Sequence, residues 1–334
     1  MEDSEKPYNI AVIGGGSMAT ALVKIFTEND NQVNWWMRSE ESVEHIRVHR
    51  NNPRYLSSVE LNVDQLFVST DINAVVEDAD VVVLVVPSAF LKDSLVDLTV
   101  PLKEKIVFSS IKGIVPGDNM IVGEYLHQRH EVPFEQIGVI AGPCHAEEVA
   151  LERLSFLTLA CADMENARQL SEAMKADYII TRLSDDIYGT EYAAILKNIY
   201  ALAAGIFHGL GYGDNFQAVL VSNCVREMKR FIRAVHPIKR DINATAYLGD
   251  LLVTSYSQFS RNRTFGNMIG KGYTIRSAML EMNMVAEGYY AAGLIKNLKK
   301  SYDVKIPICQ SVYKILYEEK SPKKVMKKLA ERLK

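Results

Sequence analysis

The segment YNIAVIGGGSMATAL, beginning at Tyr8, runs from a short apolar stretch through Gly14, Gly15 and Gly16 and out into a helix-forming sequence. This reads as a strand, a tight turn and a helix shaped to receive a dinucleotide pyrophosphate. Gly14 permits the turn, Gly16 lets backbone approach a phosphate, and Ala19 stands where a third small residue allows the helix to pack on the strand. The phosphate would then meet the N–H groups of Ser17 and Met18, at the positive end of the helix dipole. A glycine triplet also marks some plain tight turns, so position decides its meaning. Here it follows the first strand candidate and opens a long alternation of strand-like and helix-like segments.

That alternation predicts a doubly wound, Rossmann-type α/β sheet. Strand candidates are Tyr8 to Ile13, Gln32 to Met37, Leu66 to Ser69, Asp80 to Val86, Lys105 to Ser109, Gln136 to Ala141, Phe156 to Cys161 and Tyr178 to Thr181. Several are unbroken Val/Ile runs, as parallel strands covered on both faces require. Between them lie helix candidates such as Thr20 to Glu28, Glu40 to His49, Ala89 to Leu98 and Ala167 to Met174. From about Ile187 the strand signal fades into helices: Ile187 to Leu210, Phe216 to Val235, Ile275 to Leu298 and Pro307 to Glu318. With 334 residues the chain exceeds what one core comfortably fills. The expected division is a dinucleotide-binding domain over residues 1–187 and an all-helical substrate and catalytic domain over 188–334.

Composition narrows the partners. A formal charge of -3 offers no whole-protein attraction for nucleic acid or an anionic membrane, so any phosphate recognition must be local. The four cysteines, Cys144, Cys161, Cys224 and Cys309, are widely spaced and form no C-x-x-C pair, which fits reduced thiols in a cytoplasmic protein. The opening MEDSEKP is acidic and polar, unlike a signal peptide. His45 and His49 share one helix face, yet Glu44, Arg47 and Arg50 mark that face as solvated, and no metal site is expected. The basic tail KKVMKKLAERLK places Val325, Leu329 and Leu333 every four residues, a core-facing stripe and not a membrane anchor.

Catalysis is sought in the helix candidate from Ile187, which is apolar nearly all round until Lys197 and Asn198 interrupt it. Ala193, Ala194, Tyr200 and Ala201 occupy the neighbouring helical positions, so any acid paired with Lys197 must come from elsewhere. An amine in apolar surroundings has its pKa lowered toward neutrality, which suits a group that gives and takes a proton; the alternative is that Lys197 snorkels from the helix edge into water. The segment YLGDLLVTSYSQFSRNRTFG supplies Asp250, the nearest candidate partner. In the same segment Arg261 offers a planar fork for phosphate oxygens, flanked by Ser260 and Asn262, unless Arg261 and Arg263 are a solvated pair. Lys112, in KIVFSSIKG, follows a strand's carboxyl end, where ligands collect.

The end of the second strand, QVNWWMRSEES, bears on the cofactor. An acid there would grip the ribose of NAD, whereas an arginine accommodates the extra phosphate of NADP. Arg38 and Ser39 hold the place, and Glu40 and Glu41 come one or two residues late, so NADP is preferred without excluding NAD.

Taken in order, GGGSMATAL, VVPS, SSIKG, AGPCHAEE, LKNIYALAAG, GDL, SRNRTFG and VAEGYY cover nearly the whole chain and resemble the NAD(P)-dependent sn-glycerol-3-phosphate dehydrogenases. The resemblance implies reversible reduction of dihydroxyacetone phosphate, supplying glycerophospholipid synthesis. It makes Lys197 the proton donor and acceptor, with Lys112 touching both ligands and Asp250 holding the ammonium. It implies a substrate pocket of Lys112, Gly142, Cys144, Lys197, Asn198, Asp250, Ser260, Arg261 and Asn262. The dinucleotide would meet Gly14, Gly16, Ser17, Met18, Arg38, Lys112, Ala146, Arg261, Val285 and Glu287. Departures from the family pattern are Ala19 for a glycine, Cys144-His145 for a hydroxyl residue and an aromatic, Asn223 for an arginine and Ser255 for a cysteine. Two other readings stand beside it: a two-domain reductase of a nonphosphorylated keto acid, such as ketopantoate, and a noncatalytic dinucleotide sensor. A small phosphorylated substrate is the expected partner, and the apolar second domain is compatible with a homodimer.

Overall fold

The computed structural model describes residues 8–282 and 286–334, so the opening MEDSEKP and the cofactor candidate Val285 lie outside the described residues. The chain divides into two compact units: residues up to Ile111 with Val122–Ile187, and Lys112–Ile121 with Tyr188–Lys334. Strand-helix alternation predicts the ten residues from Lys112 within the first domain; in space they group with the helical one.

The first unit alternates β1 (Asn9–Ile13), α1 (Ser17–Glu28), β2 (Gln32–Trp36), α2 (Glu40–His49), β3 (Leu66–Ser69), α3 (Ile72–Val76), β4 (Val81–Leu84), α4 (Leu91–Ser94) and β5 (Ile106–Ser109). The hairpin of β6 (Ile114–Val115) and β7 (Met120–Ile121) then intervenes, and the unit resumes with α5 (Val122–His130), β8 (Ile137–Ala141), α6 (Ala146–Ala150), β9 (Ser155–Cys161), α7 (Met164–Ala173) and β10 (Ile179–Ser184). Eight strands form one sheet in the order β10-β9-β8-β5-β4-β1-β2-β3. All neighbours pair in parallel except β8 with β9. The central strands β4 and β8 are buried along their whole length, which is why their sequences are apolar without alternation. β1 sits where the strand order reverses, with β2 on one side and β4 on the other, so the turn after β1 opens at the switch point of the sheet.

The second unit contains the β6–β7 hairpin and α8 (Ile187–Gly209), α9 (Asp214–Val235), α10 (Asp250–Tyr256), α11 (Arg261–Gly270), α12 (Ile275–Glu281), α13 (Glu287–Tyr302), α14 (Pro307–Leu316) and α15 (Pro322–Ala330). The single helix expected from Ile275 to Leu298 is instead two, because Met282 adopts an extended backbone after α12 and Ala286 does so before α13. Every residue of α8 from Gly189 to Phe207 is buried, so this helix is the axis around which the other helices of the unit pack.

Glycines fix the register between α8 and α11. A Cβ on Gly205 would lie 2.1 Å from the carbonyl oxygen of Arg263, on Gly209 2.3 Å from that of Asn267, on Gly266 2.2 Å from that of Leu202, and on Gly270 2.3 Å from that of Ile206. Two helices with glycines four residues apart thus touch backbone to backbone, closer than any side chain allows. Leu202 meets Gly266 and Ile206 meets Gly270, and one turn earlier Asn198 meets Asn262 at the same offset of 64 residues. This ladder sets the start of α11 beside Lys197.

A second long-range device is Glu227 of α9. The N-cap of α14, Ile306, has no side chain able to bond the helix's first N–H groups. Glu227 does so from another helix, accepting from Ile308 N at 2.8 Å and from Cys309 N at 3.0 Å. Burial pushes its carboxyl up to about 7, against the two N–H donors that favour the ionised form. The native group therefore holds its proton at pH values where the unfolded one, near 4.5, has lost it. Stability falls as pH rises from 4.5 to 7 and levels above, by roughly 3 kcal/mol in all. Urea unfolding between pH 5 and 8 is expected to show this decline, and Glu227→Gln is expected to flatten it. An identical slope in the variant would assign the decline to other groups.

Candidate active site

In the first unit the turn after β1 is a cradle open on one side. Gly14 has φ +131°, and a Cβ there would strike the carbonyl oxygen of Val85 at 2.4 Å, so only glycine serves. Around Gly16 a Cβ would meet nothing within 4 Å, leaving room for a ligand at the N-terminus of α1. The turn is held from behind: Trp35 Nε1 donates to Gly14 O at 2.6 Å, and Asn52 Nδ2 donates to Gly15 O at 3.1 Å and to Thr20 Oγ1 at 2.8 Å. With carbonyls tied back, the helix N-terminus at Ser17 and Met18 faces the open side, which fits a dinucleotide pyrophosphate. Ala19 is fully buried, as a helix-packing position must be. Lys24 anchors α1 farther along, pairing with Glu28 and with Glu152 at 3.0 Å.

Beyond β2, Arg38 is exposed and Ser39 caps α2 by accepting from Ser42 N at 3.4 Å. Glu40 begins that helix, and its carboxylate accepts from Thr70 Oγ1 at 2.7 Å. Gly142, just after β8, has φ +121° and a Cβ there would lie 2.8 Å from the carbonyl oxygen of Phe156, so close approach of β9 alone accounts for its glycine. Cys144 and Ala146 are buried in the same unit.

In the second unit, hydrogen bonds link Lys197 to Asp250 and Asn198 to the main chain of Lys112 and to Asn262, which Ser260 and Arg261 precede in the chain. Lys197 is 4% exposed and forms an ion pair with Asp250 Oδ1, so it does not snorkel. Asp250, 1% exposed, stands where a π-helical turn, Thr245–Gly249, runs on into α10. The surroundings of Lys197 are therefore not simply apolar: burial disfavours the ammonium and the adjacent carboxylate favours it. Thr254, one turn on, donates from Oγ1 to Asp250 O at 2.6 Å. The other carboxylate oxygen, Oδ2, is buried and accepts no hydrogen bond among the described residues. Leaving such an atom unsatisfied costs about 1–3 kcal/mol, more for a charged group, so it marks a place where a further donor belongs.

Asn198 donates from Nδ2 to the carbonyl of Lys112 at 3.2 Å, which ties the start of the hairpin segment to α8. Asn262 donates to Asn198 Oδ1 at 3.0 Å. Ser260 spends its hydroxyl as the N-cap of α11, accepting from Arg263 N at 3.3 Å, while Arg261 is exposed as the first residue of that helix. Glu287 opens α13 and is half-buried. Asn223 has an evident role at the C-terminus, its amide donating to Lys334 O at 2.9 Å and accepting from Lys334 N at 3.1 Å. The structure does not explain Ser255, whose buried hydroxyl has no partner among the described residues. Asn52, Trp35 and Glu227 escape a sequence reading because each acts on residues distant in the chain and carries no local signature.

The chain matches known proteins along most of its length. The description of the NAD-dependent glycerol-3-phosphate dehydrogenase N-terminus matches residues 9–167, and that of the C-terminus of the same enzyme matches residues 186–327. A glycerol-3-phosphate dehydrogenase [NAD(P)+] of an Exiguobacterium species is 35% identical over 97% of this chain and 95% of its own. The protein of the same name from Oceanobacillus iheyensis is 33% identical over 97% and 94%. Among solved structures, glycerol-3-phosphate dehydrogenase from Coxiella burnetii superposes with a TM-score of 0.89 at 27% identity, covering 98% of this chain and 99% of that one.

Proposed function

The chain belongs to the NAD-dependent glycerol-3-phosphate dehydrogenase family, and we propose that it reversibly reduces dihydroxyacetone phosphate to sn-glycerol 3-phosphate with NADPH or NADH. The observation that carries this reading is the buried pair of Lys197 and Asp250 with its unsatisfied oxygen. A buried ion pair is costly to maintain and weak as a source of stability, so chemistry is the better reason for it.

A reduced nicotinamide, when bound, supplies the hydride for the ketone carbon. Lys197 in its ammonium form donates a proton to the ketone oxygen, and in the reverse direction the amine takes it back. Asp250 Oδ1 fixes the ammonium, which leaves the unpartnered Oδ2 as the acceptor for a substrate hydroxyl in this reading. Burial of both groups keeps water from competing for the proton. Arg261, at the N-terminus of α11, receives the phosphate together with the positive end of that helix. Lys112 positions the remaining oxygens. In the first unit, Gly14, Gly16, Ser17 and Met18 receive the pyrophosphate, with Arg38 and Ala146 as further dinucleotide contacts, and the resemblance adds Lys112, Arg261 and Glu287 of the second unit as contacts of the same ligand. Exposed Arg38, with Glu40 engaged by Thr70, supports NADPH over NADH. The four free, buried cysteines accord with a cytoplasmic enzyme, and the product with a supply for glycerophospholipid synthesis. The apolar second unit is consistent with a homodimer.

Oxidation of NADPH and NADH with dihydroxyacetone phosphate, run beside ketopantoate, tests the proposal. Turnover of the phosphorylated ketone alone is expected, with the lower KM for NADPH. Reduction of ketopantoate in its place would overturn the substrate, absence of turnover with both would favour a sensor, and a tenfold preference for NADH would overturn the cofactor.

A further inference from the structure

The formal charge of -3 conceals a division along the chain. Residues 1–187 carry 15 lysines and arginines against 30 aspartates and glutamates, a net of -15, whereas residues 188–334 carry 23 against 11, a net of +12. The hairpin segment that completes the second unit adds nothing, since Lys112 and Asp118 cancel. Exposed charges farther apart than a Debye length, about 8 Å at physiological ionic strength, are largely screened from each other. An anionic surface therefore senses the unit it touches and not the sum over the chain.

Two helices of the second unit concentrate this charge. In α15, Lys323, Lys324, Lys327 and Lys328 are exposed while Met326 and Leu329 are buried, so the i,i+4 spacing sets the lysines on the face opposite the core. In α9, Arg226, Lys229, Arg230 and Arg233 make a stripe of the same kind opposite buried Cys224, Met228 and Phe231. The stripes adjoin at the C-terminus, where Asn223, one turn before Arg226, holds Lys334 by a hydrogen bond in each direction, at 2.9 and 3.1 Å. None of these eight basic side chains forms an ion pair among the described residues, and the acid nearest the α15 lysines, Glu331, caps the far end of that helix. Like charges four apart destabilise a helix, so a surface shaped for stability alone would mix the signs.

We propose that this face, formed by α9 and α15, adsorbs to an anionic lipid bilayer with no segment inserted. A bilayer offers a diffuse field of headgroup phosphates that requires no shaped pocket, which suits charges standing on the outer faces of helices. The apolar side of α15 packs into the core of the unit, so the attraction is electrostatic. Nucleic acid fits less well, because no exposed aromatic side chain stands in either stripe for a base to stack on. The choice of a bilayer also rests on the proposed reaction: sn-glycerol 3-phosphate becomes lipid once fatty acyl groups esterify its hydroxyls, and that lipid resides in the membrane.

The test is cosedimentation with vesicles of phosphatidylglycerol and phosphatidylcholine in equal parts, beside phosphatidylcholine alone. Binding to the anionic vesicles only is expected, and its loss as sodium chloride rises from about 0.05 M to about 0.5 M. Each lysine removed should weaken the partition about fivefold, so Lys323→Gln with Lys327→Gln should weaken it about 25-fold, with melting temperature and turnover of dihydroxyacetone phosphate unchanged. Arg226→Gln with Arg233→Gln carries the same expectation on the other helix, should the first pair fail to fold. Equal binding to both kinds of vesicle, no binding at low salt, or wild-type binding by both pairs of variants would overturn the proposal. Binding of single-stranded RNA without binding of the vesicles would assign the face to nucleic acid and overturn it as well. Vesicle binding is read without substrate, so its failure leaves the dehydrogenase reading standing, and a protein that binds anionic vesicles yet turns over no dihydroxyacetone phosphate would sink that reading and keep this surface.

Discussion

Lys197→Ala is expected to lower kcat for dihydroxyacetone phosphate reduction by ~10² to 10⁴ while NADPH binds as before. The proton that reaches the ketone oxygen must come from a group fixed within hydrogen-bond reach, and Lys197 is a buried ammonium held by Asp250. The dinucleotide contacts of the glycine turn belong to the other unit, so cofactor affinity, read by fluorescence quenching, should not change. Stability complicates the experiment and also sharpens it. Without the lysine, Asp250 is a buried carboxylate lacking its counter-charge, and removing one partner of such a pair costs about 3–5 kcal/mol. Adding Asp250→Asn to the variant is expected to restore most of that stability and none of the turnover. A Lys197→Ala enzyme with near wild-type kcat would take the lysine out of the reaction.

Much of the fold was legible because its signals are local. The β-branched runs at Val81–Leu84 and Ile137–Ala141 announce strands buried on both faces, and all eight strand candidates lie in the one sheet. The turn at Gly14 was legible for the same reason, since a positive φ leaves no other residue there. Lys197 stood out as a charge interrupting an apolar helix, and its partner had to be sought off that helix; Asp250 meets it 53 residues on. What escaped is long-range. Strand periodicity says nothing of which unit a two-residue strand such as Ile114–Val115 joins, and its burial among the helices decides that. The spacing of Gly205 with Gly209 and of Gly266 with Gly270 is visible in the sequence, but that the two pairs face each other is a property of packing alone.

That packing makes Gly266→Ala the second large effect. The added methyl would sit 2.2 Å from the carbonyl oxygen of Leu202 and 3.0 Å from the amide nitrogen of Ile206, both backbone atoms of a buried helix. No rotamer change relieves such a contact, so α8 and α11 must separate, and overpacking of this kind costs about 1–3 kcal/mol or somewhat more. The reciprocal contact of Gly205 with Arg263 would open along with it. One turn away, the bond between Asn262 and Asn198 stands at 3.0 Å and has little length to lose before it ceases to be one. A lower melting temperature and a KM for dihydroxyacetone phosphate raised about tenfold are expected together, with NADPH affinity unchanged. Gly213→Ala is the control for backbone contact: its Cβ would meet nothing within 4 Å, so it should lose only the roughly 1 kcal/mol that alanine costs at the N-cap of α9, with the KM for dihydroxyacetone phosphate unchanged. If Gly266→Ala melts and binds like Gly213→Ala, the helices tolerate separation and the register of the asparagine pair does not depend on their glycines.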